Sequence, residues 1–383
     1  MRRLTPEPLA MLSDEPHEIL VTALCPIGDT LFLTPALALL RRRFPHARVT
    51  AVVSSKNEGI LTDNPDVDRL ILAPERGPSL EAVRFARGVR RISQERPDLI
   101  INFSAAGTFI TALAGLRAPR LGLQTPPFWA LTGARDQEYR DRHAIDQYFK
   151  VIEPLAPAPL TIEECAPRFY LTPENRREAR DLLRITGARP GDTIISMHVG
   201  GDGFNGRKRW APERFARVAN ELIERFDARI FLVGGGGDFA MSHETAARIR
   251  GPVRLMAGKT SLKVTGALIE ASSLFIGNDS SPLHIAAAVG TPAVGIYGPS
   301  DWMEFQPIAR PGYRGRLLHS DLPCAPCFRF VGAAPLWQIN TCYSFACLKA
   351  IDARQVLEAA VELLEAAKPP QRAPEPAGAP EAR

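Results

Sequence analysis

Between Glu18 and Tyr297 the sequence runs twice through one order: a short apolar stretch, a turn of glycine, proline or aspartate, then a helical stretch. The first apolar stretch, Glu18 to Leu24 (EILVTAL), lacks the every-other-residue alternation of a half-exposed strand. That pattern predicts a strand buried on both faces of a parallel sheet. Pro26, Ile27, Gly28 and Asp29 end it, and a helix is predicted from about Thr30 to Arg43. Further strands are predicted at Arg48 to Val53, around Val67 to Leu72 and at Leu99 to Phe103. The second series has strands at Thr193 to His198, Arg229 to Val233, Leu274 to Gly277 and Ala293 to Tyr297. Helices are predicted at Pro212 to Phe226 and Pro282 to Val289, with one more between Val233 and Leu274. Strands that alternate with helices must pair in parallel through crossovers, so the fold class is α/β with open, doubly wound sheets.

The chain has 383 residues, and a prior of roughly 150 residues per domain makes it two domains. The stretch from Val151 to Tyr170 is aperiodic and holds Pro154, Pro157, Pro159 and Pro167, which reads as the connection between them. Thr172 then caps a helix with Pro173 at its first position and Gly187 beyond its end. The resulting division is a loose leader at 1–17, a first domain at 18–165, a second at 166–350, a C-terminal helix at 351–367 and a tail at 368–383. Asp352 and Gln355 start the last helix, and Val356, Leu357, Val361 and Leu364 share one of its faces. The tail is Pro, Ala and Glu in low-complexity order and is predicted to be disordered. Two facing units of this kind enclose a cleft, and ligands of such sheets sit beyond the carboxyl ends of the strands.

Composition limits the partners more than it names them. The net charge of +5 is compatible with an anionic ligand or membrane surface, and no nucleic-acid-binding signature accompanies it. No apolar run reaches the ~20 residues that span a bilayer, and the N-terminal stretch lacks the apolar middle of a signal peptide. Six cysteines are too few for a disulfide scaffold of this length. The expected location is the cytoplasm.

Four strand-to-helix turns carry chemistry. In Phe275 to Pro299 (FIGNDSSPLHIAAAVGTPAVGIYGP) a strand ends, Asn278 to Ser281 turn, and Pro282 opens a small-residue helix. A helix N-terminus attracts phosphate or a polarised hydroxyl. Asp279 can accept from sugar hydroxyls and His284 can donate to a pyrophosphate; the plain alternative is an Asp279 or Ser280 cap and a surface histidine. In His198 to Phe215 (HVGGDGFNGRKRWAPERF), Gly200 and Gly201 let backbone amides approach a phosphate and Lys208 neutralises it, unless the loop is only a solvated basic one. In Phe231 to Asp238 (FLVGGGGD), Asp238 can bind ribose hydroxyls, although a plain turn fits the glycine run as well. In Cys25 to Pro35 (CPIGDTLFLTP), Asp29 faces the cleft as a general base or else caps the next helix.

The order G-D-T-L-x-x-T-P, H-x-G…K-R-W, G-K-T-S-L and G-N-D-S-S-P-L-H-x-A-A-A-x-G-T-P resembles the lipopolysaccharide heptosyltransferases, glycosyltransferase family 9, from about Ile19 to Leu364. The resemblance implies a GT-B fold, two Rossmann-like domains facing a central cleft. It also implies inverting transfer of a heptose or related sugar from an ADP-sugar to a lipopolysaccharide-core or other lipid-linked acceptor. By position Asp29 is similar to the family's general base, Lys208 to its phosphate lysine and Asp238 to its ribose acid. Asp279, Ser280, Ser281 and His284 resemble its donor-sugar loop. Ser281 replaces the family's usual glycine, and Gly200–Gly201–Asp202 replaces a hydroxyl-rich loop, so the groups lining the donor pocket differ. No cofactor is expected for catalysis.

Cys324, Cys327, Cys342 and Cys347 lie within 24 residues, a spacing that suits a structural zinc or iron site of four thiolates or, alternatively, four reduced thiols. A late cysteine finger of similar style occurs in the autotransporter branch of the family. Arg84, Arg87 and Arg91 share a helical face, with Arg41, Arg42 and Arg43 as a second basic run; these can receive a phosphorylated acceptor or rest on the inner membrane, or be plain solvated faces. Rival functions on the same architecture are a nucleotide-sugar epimerase, a transferase acting on a protein or another glycan, and a non-catalytic sugar-nucleotide binder. The last is favoured if Asp29 is buried as a cap.

Overall fold

The computed structural model describes residues 15–73, 97–103, 118, 120–122, 143–152, 155, 162–201, 206–328, 342 and 344–367. Among them are two fully parallel sheets. The first holds β1 (Glu18–Ala23), β2 (Arg48–Ser54), β3 (Arg69–Ala73), β4 (Leu99–Asn102) and β5 (Arg120–Gly122) in the order β3-β2-β1-β4-β5. The second holds β6 (Ile194–His198), β7 (Arg229–Leu232), β8 (Val253–Leu255), β9 (Leu274–Asn278), β10 (Ala293–Ile296) and β11 (Gly315–Leu318), ordered β11-β10-β9-β6-β7-β8. In both sheets the first strand lies inside and the fourth pairs on its other side. Strand order therefore reverses at β1/β4 and at β6/β9, where the diverging loops leave a crevice at the carboxyl ends.

The central strands are apolar because both faces are covered. Val21, Val49, Ile100 and Ile101 are fully buried in the first sheet, as are Ile195, Ile230, Ile276 and Val294 in the second. Truncating any one of them to alanine is expected to cost about 2–4 kcal/mol through lost contact and the cavity left behind.

Two predicted elements come out differently. The single helix at Thr30 to Arg43 is two, Ile27–Phe32 and Thr34–Arg43, joined at Leu33. Pro35 has no N–H to continue the first helix, and the Thr34 hydroxyl takes the Leu31 carbonyl at 2.8 Å instead. Within the connection, Ile162–Cys165 is helical; it occupies a proline-free stretch and stops before Pro167. Strands β5, β8 and β11 and the helix Leu262–Glu270 complete the sheets beyond what the pattern predicted. The Thr172 cap is formed as expected, with Asn175 returning the bond, and Asp352 and Gln355 exchange the corresponding pair.

The halves touch directly. Helix Ile27–Phe32 lies against helix Ser281–Val289, and Leu262–Glu270 lies against Glu58–Leu61. Buried Lys263 ties them further: its ammonium donates to the Thr62 carbonyl at 2.6 Å and the Tyr170 carbonyl at 2.5 Å. No described helix is long and apolar enough to cross a membrane.

Candidate active site

Three loops at the carboxyl ends of β7, β6 and β9 are tied into one surface by a chain of side chains. His198, the last residue of β6, stands 3.2 Å from Asp238 through Nε2 and 2.8 Å from the Ser280 hydroxyl through Nδ1. Asp238 Oδ1 accepts from the Gly201 amide and Oδ2 from the Gly235 amide, both at 2.9 Å. Burial alone would raise this carboxyl, but the His198 contact and the two amides outweigh it and hold the pKa at about 2. The Ser280 hydroxyl, besides meeting His198 Nδ1, donates to the Asn278 carbonyl at 3.1 Å. Both Asp238 oxygens thus have partners within the protein, where the sequence reading had aimed them at ribose. Gly200 is required here, because a Cβ on it would lie 1.9 Å from Asp238 Oδ1, and Gly201 has a φ of +128° that disfavours side chains.

Asn278 at the end of β9 adds a second lock. Its side chain accepts from the Trp210 amide at 3.0 Å and donates to the Val199 and Gly200 carbonyls at 3.1 and 2.8 Å. That bond fixes the turn that presents Lys208. Lys208 Nζ lies 2.6 Å from Asp279 Oδ2, with side-chain exposures of 14% and 4%. The ammonium also faces the rings of Phe305 and Phe328, 5.6 and 5.1 Å from their centroids. Burial pushes the Asp279 carboxyl up, yet Lys208 and His284 together hold it below the ordinary carboxylate value. Neither Asp279 nor Ser280 caps the following helix: the Ser280 hydroxyl turns to His198.

His284 is buried, not a surface residue. It packs edge-on against Phe32 at 4.8 Å, with Nε2 4.0 Å from Asp279 Oδ1. Among the described residues its Nδ1 has no hydrogen-bond partner. Burial lowers its pKa from 6.5 to about 4 against the pull of Asp279. His143, whose Nε2 is 2.6 Å from the Gln306 carbonyl, is lowered to about 4 by burial as well.

Both histidines therefore titrate below their unfolded value. The stability they contribute is fully present above pH 6.5 and is lost as pH falls from there through about 4, where the unfolded chain binds protons that the folded one refuses. Urea melts at pH 7.5 and 5 are expected to show this loss, and His143→Gln with His284→Gln should flatten it. An equally steep loss in the double variant would show that other groups cause it.

Across the cleft, Asp29 sits in the first turn of Ile27–Phe32. It makes no cap, since the helix starts at Pro26 without a side-chain bond. Asp29 Oδ1 instead accepts from the Tyr148 hydroxyl at 2.9 Å. Burial raises the Asp29 carboxyl more than the Tyr148 bond and the charge of Lys208 lower it, and Asp279 adds to the rise. Gly28 brings this turn up to the second domain: a Cβ there would meet the His284 ring at 3.5 Å. Asp29, Lys208, Asp279, Ser280, Ser281 and His284 thus converge from both halves on one cleft, and the reading of Asp29 as a buried cap is not what forms.

Sequence reasoning passed over His198 and Asn278, which sat inside quoted motifs, and Tyr148, for which no local signal exists. Arg84, Arg87 and Arg91 lie outside the described residues. The Arg41–Arg43 run is engaged locally: Arg41 pairs with Asp68 at 2.5 Å, Arg42 with Glu164 at 2.6 Å, and Arg43 lies over Phe44. Burial, with smaller contributions from Cys327, Cys342 and Cys324, pushes the Cys347 thiol up to about 11. No group of three or more potential ligands among the described residues is placed to hold a metal ion, however. The expected thiolate site is not formed by these residues.

Comparison with known proteins shows the family. The sequence profile of glycosyltransferase family 9 (heptosyltransferase) matches residues 114–337, more than half of the chain. Lipopolysaccharide heptosyltransferase 3 of Escherichia coli strain K12 is 24% identical over 289 residues, covering 73% of this chain and 82% of that protein. A glycosyl transferase family 9 structure from Veillonella parvula DSM 2008 superposes with a TM-score of 0.77 at 25% identity, covering 92% of this chain and 98% of that one. E. coli ADP-heptose lps heptosyltransferase II superposes at 0.69 and 20% identity, covering 91% and 99%.

Proposed function

Because the chain belongs to glycosyltransferase family 9 and is a heptosyltransferase-type enzyme of lipopolysaccharide core synthesis, we propose that it transfers a heptose from ADP-heptose to a core acceptor with inversion, Asp29 serving as general base. The observation that carries this reading is a half-buried carboxylate of raised pKa facing a lysine–aspartate pair across a cleft between two sheets. A base poised toward neutrality is what deprotonation of a sugar hydroxyl needs. The acceptor oxygen bonds to the anomeric carbon and its proton passes to Asp29. The bond from that carbon to the diphosphate oxygen breaks, and ADP leaves with the electron pair.

In this reading Asp279 orients the Lys208 ammonium toward the diphosphate, where it offsets the developing charge together with the helix that begins at Ser281. His284, neutral at pH 7 and with an Nδ1 unpartnered among the described residues, contributes a hydrogen bond to the donor. Asp238, Gly200 and Gly201 shape the nucleotide end through the His198 chain. The names of E. coli heptosyltransferases 3 and II support the acceptor and donor classes. Contact with an inner-membrane surface carrying the lipid-linked acceptor belongs to the same proposal. No step passes through the cysteine segment.

The test is incubation with ADP-heptose and heptose-deficient lipopolysaccharide. One added heptose per acceptor, with ADP released, is the expected result. Donor binding without transfer would overturn the heptosyltransferase reading, and donor conversion without acceptor would mark an epimerase.

A further inference from the structure

The base at Asp29 is not alone in its pocket. Tyr148, on the helix Asp146–Ile152, is 2% exposed, and its hydroxyl donates to Asp29 Oδ1 at 2.9 Å. The ring is held edge-on against Phe103, just past the end of β4, at 5.8 Å and 66°. β4 is the neighbour of β1 across the point where the strand order reverses, so the phenol enters the crevice from the far side of the strand that delivers Asp29. The segment leading into this helix is fastened to the second domain. The Ala144 amide donates to the Glu304 carbonyl at 2.9 Å, and His143 meets the Gln306 carbonyl. Between those carbonyls lies Phe305, whose ring faces the Lys208 ammonium. One short stretch, 143–148, thus touches the carboxylate on one side of the cleft and the surroundings of the lysine on the other.

We propose that Tyr148 is a positioning residue for the transfer reaction: its hydroxyl pins Asp29 Oδ1 and leaves Oδ2 to take the acceptor proton. The inference rests on the reading of Asp29 as the base. A carboxylate with one oxygen fixed loses one torsional freedom and presents one acceptor direction. The bond also favours the charged carboxylate against the burial that disfavours it. Tyr148 itself remains a donor throughout, since burial and the neighbouring Asp29 and Cys25 push its ionisation well above the ordinary phenol range. The other charged groups facing Asp29 are Lys208 and Asp279 from the second domain. Cys25 on its own loop is pushed up to about 12 and stays neutral. Lys56 lies next to Cys25, and His284 against Gly28.

The experiment is the pH profile of kcat/KM for Tyr148→Phe with ADP-heptose and heptose-deficient lipopolysaccharide. Loss of a hydrogen bond to a charged group is expected to lower kcat roughly ten- to a hundredfold with donor KM unchanged. The rising limb should move up by about one pH unit, because the carboxylate has lost a donor. In an Asp29→Ala background the same substitution should change nothing further. A purely structural tyrosine would leave the limb in place and lower activity equally in both backgrounds, and that result overturns the proposal. Should Tyr148→Phe fail to fold, 3-fluorotyrosine at 148 keeps the packing and strengthens the donor, so the limb should move down; an unmoved limb again overturns it. The Asp29 carboxyl ¹³C titration, assigned against Asp29→Asn, reads the same shifts without turnover. If Asp29→Ala transfers normally, the base reading fails; if it does not while Tyr148→Phe keeps the wild-type profile and titration, only the Tyr148 inference fails.

Discussion

Asp29→Asn is expected to reduce transfer by about three orders of magnitude, within the range that a positioned general base contributes. Asparagine keeps the shape and can still accept from Tyr148, but it cannot take a proton at any working pH. Binding of ADP, measured by calorimetry, should be nearly unchanged, because Lys208, Asp279 and His284 all belong to the opposite wall. Stability should hold or rise slightly, since a half-buried carboxylate whose ionisation is resisted by its surroundings is replaced by a neutral amide. Normal turnover in this variant would remove Asp29 from the mechanism. Lost turnover together with lost ADP binding would show a collapsed cleft instead.

Lys208→Ala is expected to do two things at once. Catalysis should fall roughly a hundred- to a thousandfold, the scale set by removing one preorganised donor from developing charge. Stability should fall as well, by about 3–5 kcal/mol, because Asp279 is left buried and ionised without its partner. His284 cannot replace it: it stands 4.0 Å away and is neutral at pH 7. The two effects separate in the double variant Lys208→Ala with Asp279→Asn, which should recover much of the stability and none of the activity. Urea melts and transfer assays on the single and double variants decide this. Recovered activity in the double variant would mean that Lys208 serves only to neutralise Asp279.

The α/β alternation was readable because each central strand is apolar on both faces and each crossover ends in a residue that breaks it. The donor-side motifs were readable because glycines, Lys208, Asp279 and His284 all fall in the segments that follow strand ends, where such folds place ligands. What those residues bind to inside the protein was not. Asp238 looked free for a ribose and is held by two amides and a histidine; Asp279 looked free for a sugar and is paired with a lysine 71 positions earlier. Asp29 could be read equally as base or cap, and only the structure shows that it makes no cap and accepts from Tyr148 instead. The cysteine spacing suited a metal, but spacing along a chain does not fix where four thiols converge.

The sequence by itself determined two parallel sheets, the positions of their loops and the kinds of side chain that reach the cleft. Those follow from local rules: side-chain periodicity, turn residues and the need of each apolar face for cover. Pairings between distant loops within each half were decided by tertiary structure alone. Tyr148 meets Asp29 from 119 positions away, and Lys208 meets Asp279, because strand order reverses at β1/β4 and β6/β9 and brings distant loops within hydrogen-bond reach. Hydrogen bonds and charge interactions fall off over a few ångströms, so their partners are set by where the sheets fold the chain and not by how far apart the residues stand along it.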